Sequence, residues 1–433
     1  MSSFGLWRVC AAVRPSSVGK SDHGASRCPR VSLFVRLLRA RRVWGRKKCV
    51  CSPHTHARRF ALDLAEMIDA RFLQKGRSLK ATRAHWAMVC VALMLAASAW
   101  CGWSEGSASA CLVLPLAQWL LAALTTHEAL HGSLSSDARV NFCCQFFALP
   151  VMYNPLTWMP EHLLSHHQHT NDAQLDVDLH QWAPVRLSAQ QRAVPARGEE
   201  GRGAFLGTTG FPQFVLKSAL STVGQAVLQP MRALTDAPTP NFDRNITPAP
   251  KCVPKWAIAL SLLPPALVAA WHPSLWLLGL ASGDSHVDLE TLARGLFLEL
   301  WPWVATSLIW STMTQVSHIQ QACQTNGDQR DDFWKAQVET ALDYSVTCAA
   351  ATPLTAGLNM QGLHHALPNV CQCHFPEIYP EYLQICKKHD VTPNHSENIF
   401  TAAASLLTFV ADVNRDPEPA TTNEAPLQAV ATL

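Results

Sequence analysis

Residues Glu161–Leu179 read EHLLSHHQHTNDAQLDVDL and place His162, His166, His167 and His169 within eight positions. Two further groups answer this one: His127 and His131 in HEALH, and His364 and His365 in QGLHH. On a helix, positions i and i+4 share a face, so His127 and His131 can grip one ion together. His162 with His166 repeats that spacing, with His167 on an adjacent face, and Gln361, His364 and His365 use i, i+3 and i+4. Imidazole nitrogen suits iron, zinc and copper. A lone histidine is most often structural. Three groups at ligand spacing, set at the ends of apolar runs, reverse that reading and point to a membrane-embedded metal centre with the histidines gathered at one membrane face.

Composition agrees with a membrane chain. Of the 433 residues 48% are hydrophobic and 15% charged, whereas soluble domains carry about a quarter charged residues. Fifteen tryptophans against four tyrosines fit interfacial indoles. A net charge of +3 gives no argument for nucleic acid. The fifteen cysteines are scattered, many in apolar runs, and no C-x-x-C pair occurs. Buried reduced thiols are therefore expected rather than a zinc ribbon or a disulfide framework.

Residues 1–60 hold fourteen Lys or Arg and one acidic residue, Asp22, and read as a transit peptide or a disordered basic leader, with a misassigned start codon as the alternative. The catalytic domain is expected over 61–392, with 184–250 as a variable loop insertion, and 393–433 as a C-terminal helix and disordered tail. An amphipathic helix is expected in ALDLAEMIDARFL, before apolar spans at Trp86–Trp103, Cys111–Ala123, Trp256–Leu280 and Leu296–Trp310. Residues 141–157 are short and Pro-flanked, which suggests a re-entrant or interfacial piece, and Phe211–Leu234 suggests a helix on the membrane surface. The fold expected is all-α: about four transmembrane helices in two hairpins, with a helical cap carrying the histidines. Basic residues before the first span (Arg77, Lys80, Arg83) and acid-biased turns at 104–108 and 283–294 put the N-terminus and the histidines in the cytosol.

HEALH also matches H-E-x-x-H, the zinc-hydrolase pattern with Glu128 as general base. That reading leaves two histidine groups unused, since catalytic zinc needs three protein ligands. Glu128-x-x-His131 matches half of a carboxylate-bridged di-iron bundle, but no second E-x-x-H exists. A membrane zinc metalloprotease therefore stays as the rival from another class, beside a metal transporter or an inactive homologue.

The three groups, HEALH, HLLSHH and QGLHH, resemble the boxes of the membrane fatty acid desaturases. So do the stretches HHQHTNDAQLDVDL and HHALPNVCQCHFPEIYP that follow two of them, and QVSHI, which is similar to a segment that supplies another histidine in that family. The resemblance covers roughly residues 60–392. It implies two iron ions in a non-haem di-iron centre held by His127, His131, His162, His166, His167, His318, His364 and His365, with Glu128, Gln361, Asp172 and Asp176 as supporting residues. It further implies a fatty acyl lipid substrate, O2, and electrons from cytochrome b5 or a ferredoxin. Gln361 in a histidine position is similar to the front-end subgroup, and sphingolipid desaturases and acyl hydroxylases share the boxes. Glu128 stands where many members have Asp, and Ala366 and Asn369 depart from the usual HHLFP pattern. His272-Pro273-Ser274 does not match the HPGG motif of a fused haem domain, so none is expected. The family suggests the endoplasmic reticulum; the basic leader leaves a plastid membrane open.

His318 is the boldest of these residues, because no box contains it. It is expected beside His364 and His365, where Gln361 leaves that side short of nitrogen. His169 and His180 are expected to support the site from outside or lie at the surface, and His374 to order the segment after the third box. Asp172, Asp176 and Asp178 are candidates to hold the second N–H of ligand imidazoles.

Overall fold

The computed structural model describes residues 55–173, 175–179, 185–191, 211–235, 253–282, 288–324 and 332–415. The first helix is α1, Thr55–Ile68, continued by a π-helical turn Asp69–Leu73. Helix α2 is Arg83–Ser104 and α3 is Ala108–Leu130, followed by the short α4, Ala138–Cys144, and α5, Pro155–Pro160. Next come α6, Phe211–Val223, extended by further turns to Thr235, then α7, Lys255–Ser261, α8, Leu263–Ser282, and α9, Leu289–Gln315. Helices α10, Phe333–Glu339, α11, Gln361–Ala366, α12, Phe375–Lys388, and α13, Ile399–Arg415, complete the set. A parallel pair of three-residue strands, β1 (Leu342–Tyr344) and β2 (Asn394–Ser396), sets Asp343 opposite His395. The leader before Thr55, the tail after Arg415 and the 236–250 part of the insertion lie outside the described residues.

Among the described residues, three helical stretches are long and apolar enough to cross a membrane: Arg83–Ser104, Ala108–Leu130 and Lys255–Ser282. The central one is α3, 61% buried over its most apolar stretch against 28% for α2 and 22% for the third. Thr82 and Ser107 cap α2 and α3 by accepting from His85 N–H and Ala110 N–H. Their turn passes through Gly106 at φ 79°, a left-handed conformation that glycine enters without a Cβ penalty. The helices meet along Ala92, Ala96, Ala99 and Ala117, all buried, so their backbones approach closely. A Cβ on Gly102 would lie 2.6 Å from the Ala110 methyl. Val91, Met94, Leu112 and Leu116 point outward, the outward apolar face that lipid requires.

Helix α9 starts at an Asp288 cap and is 27 residues long. It packs on α3 and on α6. Helix α6 covers the stretch expected on the membrane surface, and its two faces differ. One face of α6 exposes Val215, Leu216 and Leu220, but the other is buried against α9, where Thr222 and Ser307 hydroxyls lie 2.7 Å apart and Ser311 Oγ donates to Ser218 O. Its small hydroxyl residues find partners there that lipid cannot give. Residues 151–158 are likewise buried inside the protein, so the Pro-flanked piece lines the interior, with Tyr153 packed on Trp158 and Trp310.

The cap forms where α1 lays Phe60, Leu64, Ile68 and Phe72 against Leu363, Ile378 and Tyr382. Half-exposed ion pairs, Arg71–Glu381 and Arg77–Glu377, both 2.6 Å, tie the end of α1 and the turn after it to α12, and solvent screens them, so they fix register more than they stabilise. The turn before α11 passes through two left-handed residues, Ala356 (φ 59°) and Gly357 (φ 76°). A Cβ on Gly357 would stand 2.7 Å from Gln372 Cβ and 3.1 Å from the Phe375 ring. Gly357→Ala should therefore destabilise the fold by about 2–4 kcal/mol, backbone strain and overpacking together. Thermal denaturation of the purified protein in detergent checks this; an unchanged midpoint would mean that the turn reopens freely.

Candidate metal centre

The second histidine group stands on a π turn, Glu161–His166, that runs straight out of α5. A π turn closes i to i+5, wider than an α turn. The partner of His162 is consequently His167, with Nε2 atoms 3.2 Å apart, and not His166, whose ring centre lies 5.7 Å away. The pairing expected from i, i+4 spacing is thus replaced, because the widened turn rotates His166 off the His162 face.

The histidines form two groups of converging nitrogens. In one, ligand atoms of His127, His131, His162 and His364 all lie within 4.8 Å of one another; in the other, those of His166, His318 and His365 do. His167 sits between them, bonded to His162 and stacked on His365 at 4.3 Å. The third box therefore splits its two imidazoles between the groups. Adjacent positions on α11 diverge by about 100°, so His364 meets α3 while His365 turns to the segment after α9. His318 lies 4.9 Å from His365, as expected, but its other neighbour is His166 at 4.6 Å rather than His364.

What stands behind each ring decides which nitrogen is free. His318 Nδ1–H donates to Thr340 O at 3.2 Å, leaving Nε2 to accept from the Gln361 amide at 2.8 Å. His365 Nδ1–H donates to Gln337 Oε1 at 2.8 Å, and its Nε2 is buried without a partner, as is that of His364. His166 Nδ1–H faces Asp176 at 3.2 Å and Asp178 at 3.3 Å. Burial works against charge on His166, but those two carboxylates outweigh it and raise the ring to about 9. Burial, reinforced by the neighbouring imidazoles, holds His162 and His167 well below the ordinary value, and burial with His166 takes His318 down to about 3. The His364 and His365 rings, held well below the ordinary value by burial and by the neighbouring imidazoles, carry buried, unpartnered Nε2 atoms, and these are donors that fit metal ions.

The supporting residues divide. Asp176 meets His166, while Asp172 accepts from Leu175 N–H and braces the loop itself. Asp178, the third of the candidate carboxylates, joins Asp176. Glu128 takes the Ser133 hydroxyl on one oxygen and Gln372 N–H on the other. The general-base role of a zinc hydrolase would need that carboxylate at the metal, so this arrangement weighs against the protease reading. His374 Nε2–H donates to Lys80 O at 3.0 Å and its ring packs on Phe72, ordering the segment after the third box. His169 is exposed, and His180 lies outside the described residues.

Sequence reasoning missed three residues. Asn171, left-handed at φ 57°, donates from Nδ2 to His318 O, Cys323 O and Thr340 O at 2.9–3.2 Å, while its N–H reaches Asp176. Gln337 holds His365. Asp343 accepts from Gly362 N–H at 2.9 Å and Tyr379 O–H at 2.7 Å, tying α11 to β1 and α12. The Asn in HTND was a signal, since left-handed turns favour Asn; Gln337 and Asp343 stand far from any box. Beside the first group a cavity is lined by Trp119, Met152, Tyr153, Trp158, Trp310 and Leu358, with His127, His162, His166 and His318 at its polar end.

Comparison with known proteins agrees with this architecture. The chain is 26% identical over 295 residues to an acyl-lipid omega-13 desaturase of Chlamydomonas reinhardtii, an alignment covering 67% of this chain and 58% of that protein. It is 22% identical to an sn-1 linoleoyl-lipid 6-desaturase of Arthrospira platensis, covering 71% of this chain and 78% of the relative. An acyl-lipid (8-3)-desaturase of Mortierella alpina is 27% identical over 58% of this chain and 52% of its own length. The chain thus spans little more than half the length of two of these relatives. The family model for fatty acid desaturases matches residues 106–397, which hold all three boxes and His318, and the chain belongs to that family.

Proposed function

We propose that this protein is an O2-dependent acyl-lipid desaturase in which eight histidines hold two non-haem iron ions. His127, His131, His162 and His364 would hold one ion and His166, His318 and His365 the other, with His167 between the groups. The observation that carries the reading is the pair of converging nitrogen sets, with unpartnered Nε2 atoms on His364 and His365 and with His127, His162, His166 and His318 lining an aromatic-walled cavity. When bound, the iron pair would supply the activation of O2, the oxidant for removing hydrogen from an unactivated methylene, chemistry that no side chain has. The protein's own part is positioning and exclusion of water. Trp158 stacks on His162 at 4.2 Å, and Tyr153 O–H is satisfied by Thr126 at 2.6 Å, so this wall presents ring faces to an acyl chain. Such a wall fixes which carbon faces the histidines. Asp176 keeps the His166 proton on Nδ1 and its Nε2 turned inward.

The length of α9 supports a fourth crossing beside the three apolar stretches, with the histidines on the cytosolic side and electrons arriving from cytochrome b5 or a ferredoxin. Gln361 at the third box supports front-end chemistry. The relatives' names agree on acyl-lipid desaturation and differ in position. Expression in a yeast lacking polyunsaturated lipids, followed by lipid profiling, tests the function: a new double bond should appear, and an unchanged profile with iron-loaded protein would oppose it.

Two variants test the site. His318→Ala should abolish the new product and reduce bound iron while membrane insertion is kept, since the apolar helices are untouched; full activity with two irons would show that the site closes without it. Asp176→Asn should lower metal affinity by about 10–100-fold through loss of ring orientation. Iron retained against a chelator at the parent level would remove Asp176 from that role.

A further inference from the structure

A second set of donors lies outside the histidine boxes. Cys371 and Cys373, in the CQCH stretch after α11, converge with His85 in the first turn of α2, and the two sulfurs and one imidazole nitrogen lie within 4.8 Å of one another. Cys371 is buried and Cys373 partly so. We propose that His85, Cys371 and Cys373 form a separate zinc site that staples the start of α2 to the loop after the third box.

The surroundings suit a thiophilic cation. His85 Nε2–H donates to Leu124 O at 2.8 Å, so the neutral ring keeps its lone pair on Nδ1, the carbonyl orienting it as supporting groups orient zinc-ligating histidines. The thiolate is the ligand form of cysteine. His374 gives its Nε2–H to Lys80 O and adjoins Cys373. Two sulfurs with one or two imidazoles are a donor set that zinc takes in tetrahedral geometry. A disulfide is the rival product of two close thiols, but it would leave the oriented His85 lone pair unused.

The placement gives the ion a use. Gln372, between the two cysteines, donates its N–H to Glu128 at 3.3 Å and its Nε2–H to Ala123 O at 2.7 Å. An ion on Cys371 and Cys373 would thus fix the first-box helix against the third-box loop without touching the histidine centre.

Cobalt replaces silent d10 zinc as the probe, applied to the full-length protein purified in detergent. Imidazole-bound cobalt gives no thiolate-to-metal charge-transfer band, so the histidine boxes do not interfere. With the histidine centre already loaded with iron, the parent protein should show that band in the near ultraviolet, saturating at one equivalent. It should be lost in the Cys371→Ser, Cys373→Ser double variant, and His85→Gln should weaken cobalt binding by about tenfold or more. Should the variants fail to fold, maleimide labelling of the parent protein decides: zinc should protect both thiols and a chelator should expose them. Absence of the band, equal labelling with and without zinc, or a disulfide between the two cysteines would each overturn the site. None of these readouts depends on desaturase activity.

Discussion

Three Nε2 atoms, from His127, His131 and His167, converge on the Nε2 of His162 at 3.0–3.2 Å. One ring nitrogen can donate one proton or accept one, so no arrangement of protons turns all three contacts into hydrogen bonds. Buried lone pairs facing one another without protons carry a desolvation cost that a shared cation removes. Much of the surrounding fold bears on this constraint. Thr340, Gln337 and Asp176 stand behind the rings and take the outer N–H, and the α3, α5, α9 and α11 ends hold the rings at that separation.

The rings arrive from four places far apart in sequence, so the scaffold has to be stiff where they meet. Small residues let α2 and α3 pack closely, and α9 is hydroxyl-bonded to α6. Buried Glu161, next to His162, accepts from Gln225 and Gln229 on the α6 extension. The insertion between the second box and the third apolar stretch is in this way part of the site's support. Asp343 plays the same part for α11, joining it to β1 and α12 through one carboxylate.

Much of this was legible in the sequence because the chemistry demands it locally. Histidine spacing and apolar length identified the boxes, the helical hairpin and even His318, the last through resemblance. The pairing inside the second box was not legible. HLLSHH reads as i, i+4 on an α-helix, and only the π turn at Glu161–His166 makes His162 and His167 partners. Gln337, Asp343 and Asn171 escaped because their value depends on contacts across 28, 19 and 147 residues. No local pattern marks such positions. The burial of α6 escaped for a related reason: its apolar face was visible, whereas the match of Thr222 and Ser218 to Ser307 and Ser311 belongs to the packed pair.

Iron determination on protein purified under reducing, chelator-free conditions tests the central claim most directly. Roughly two iron ions per chain, in a nitrogen-rich coordination shell by iron-edge X-ray absorption, is the result this account predicts. A single zinc ion in the histidine site, with iron unable to enter it after reconstitution, would contradict it.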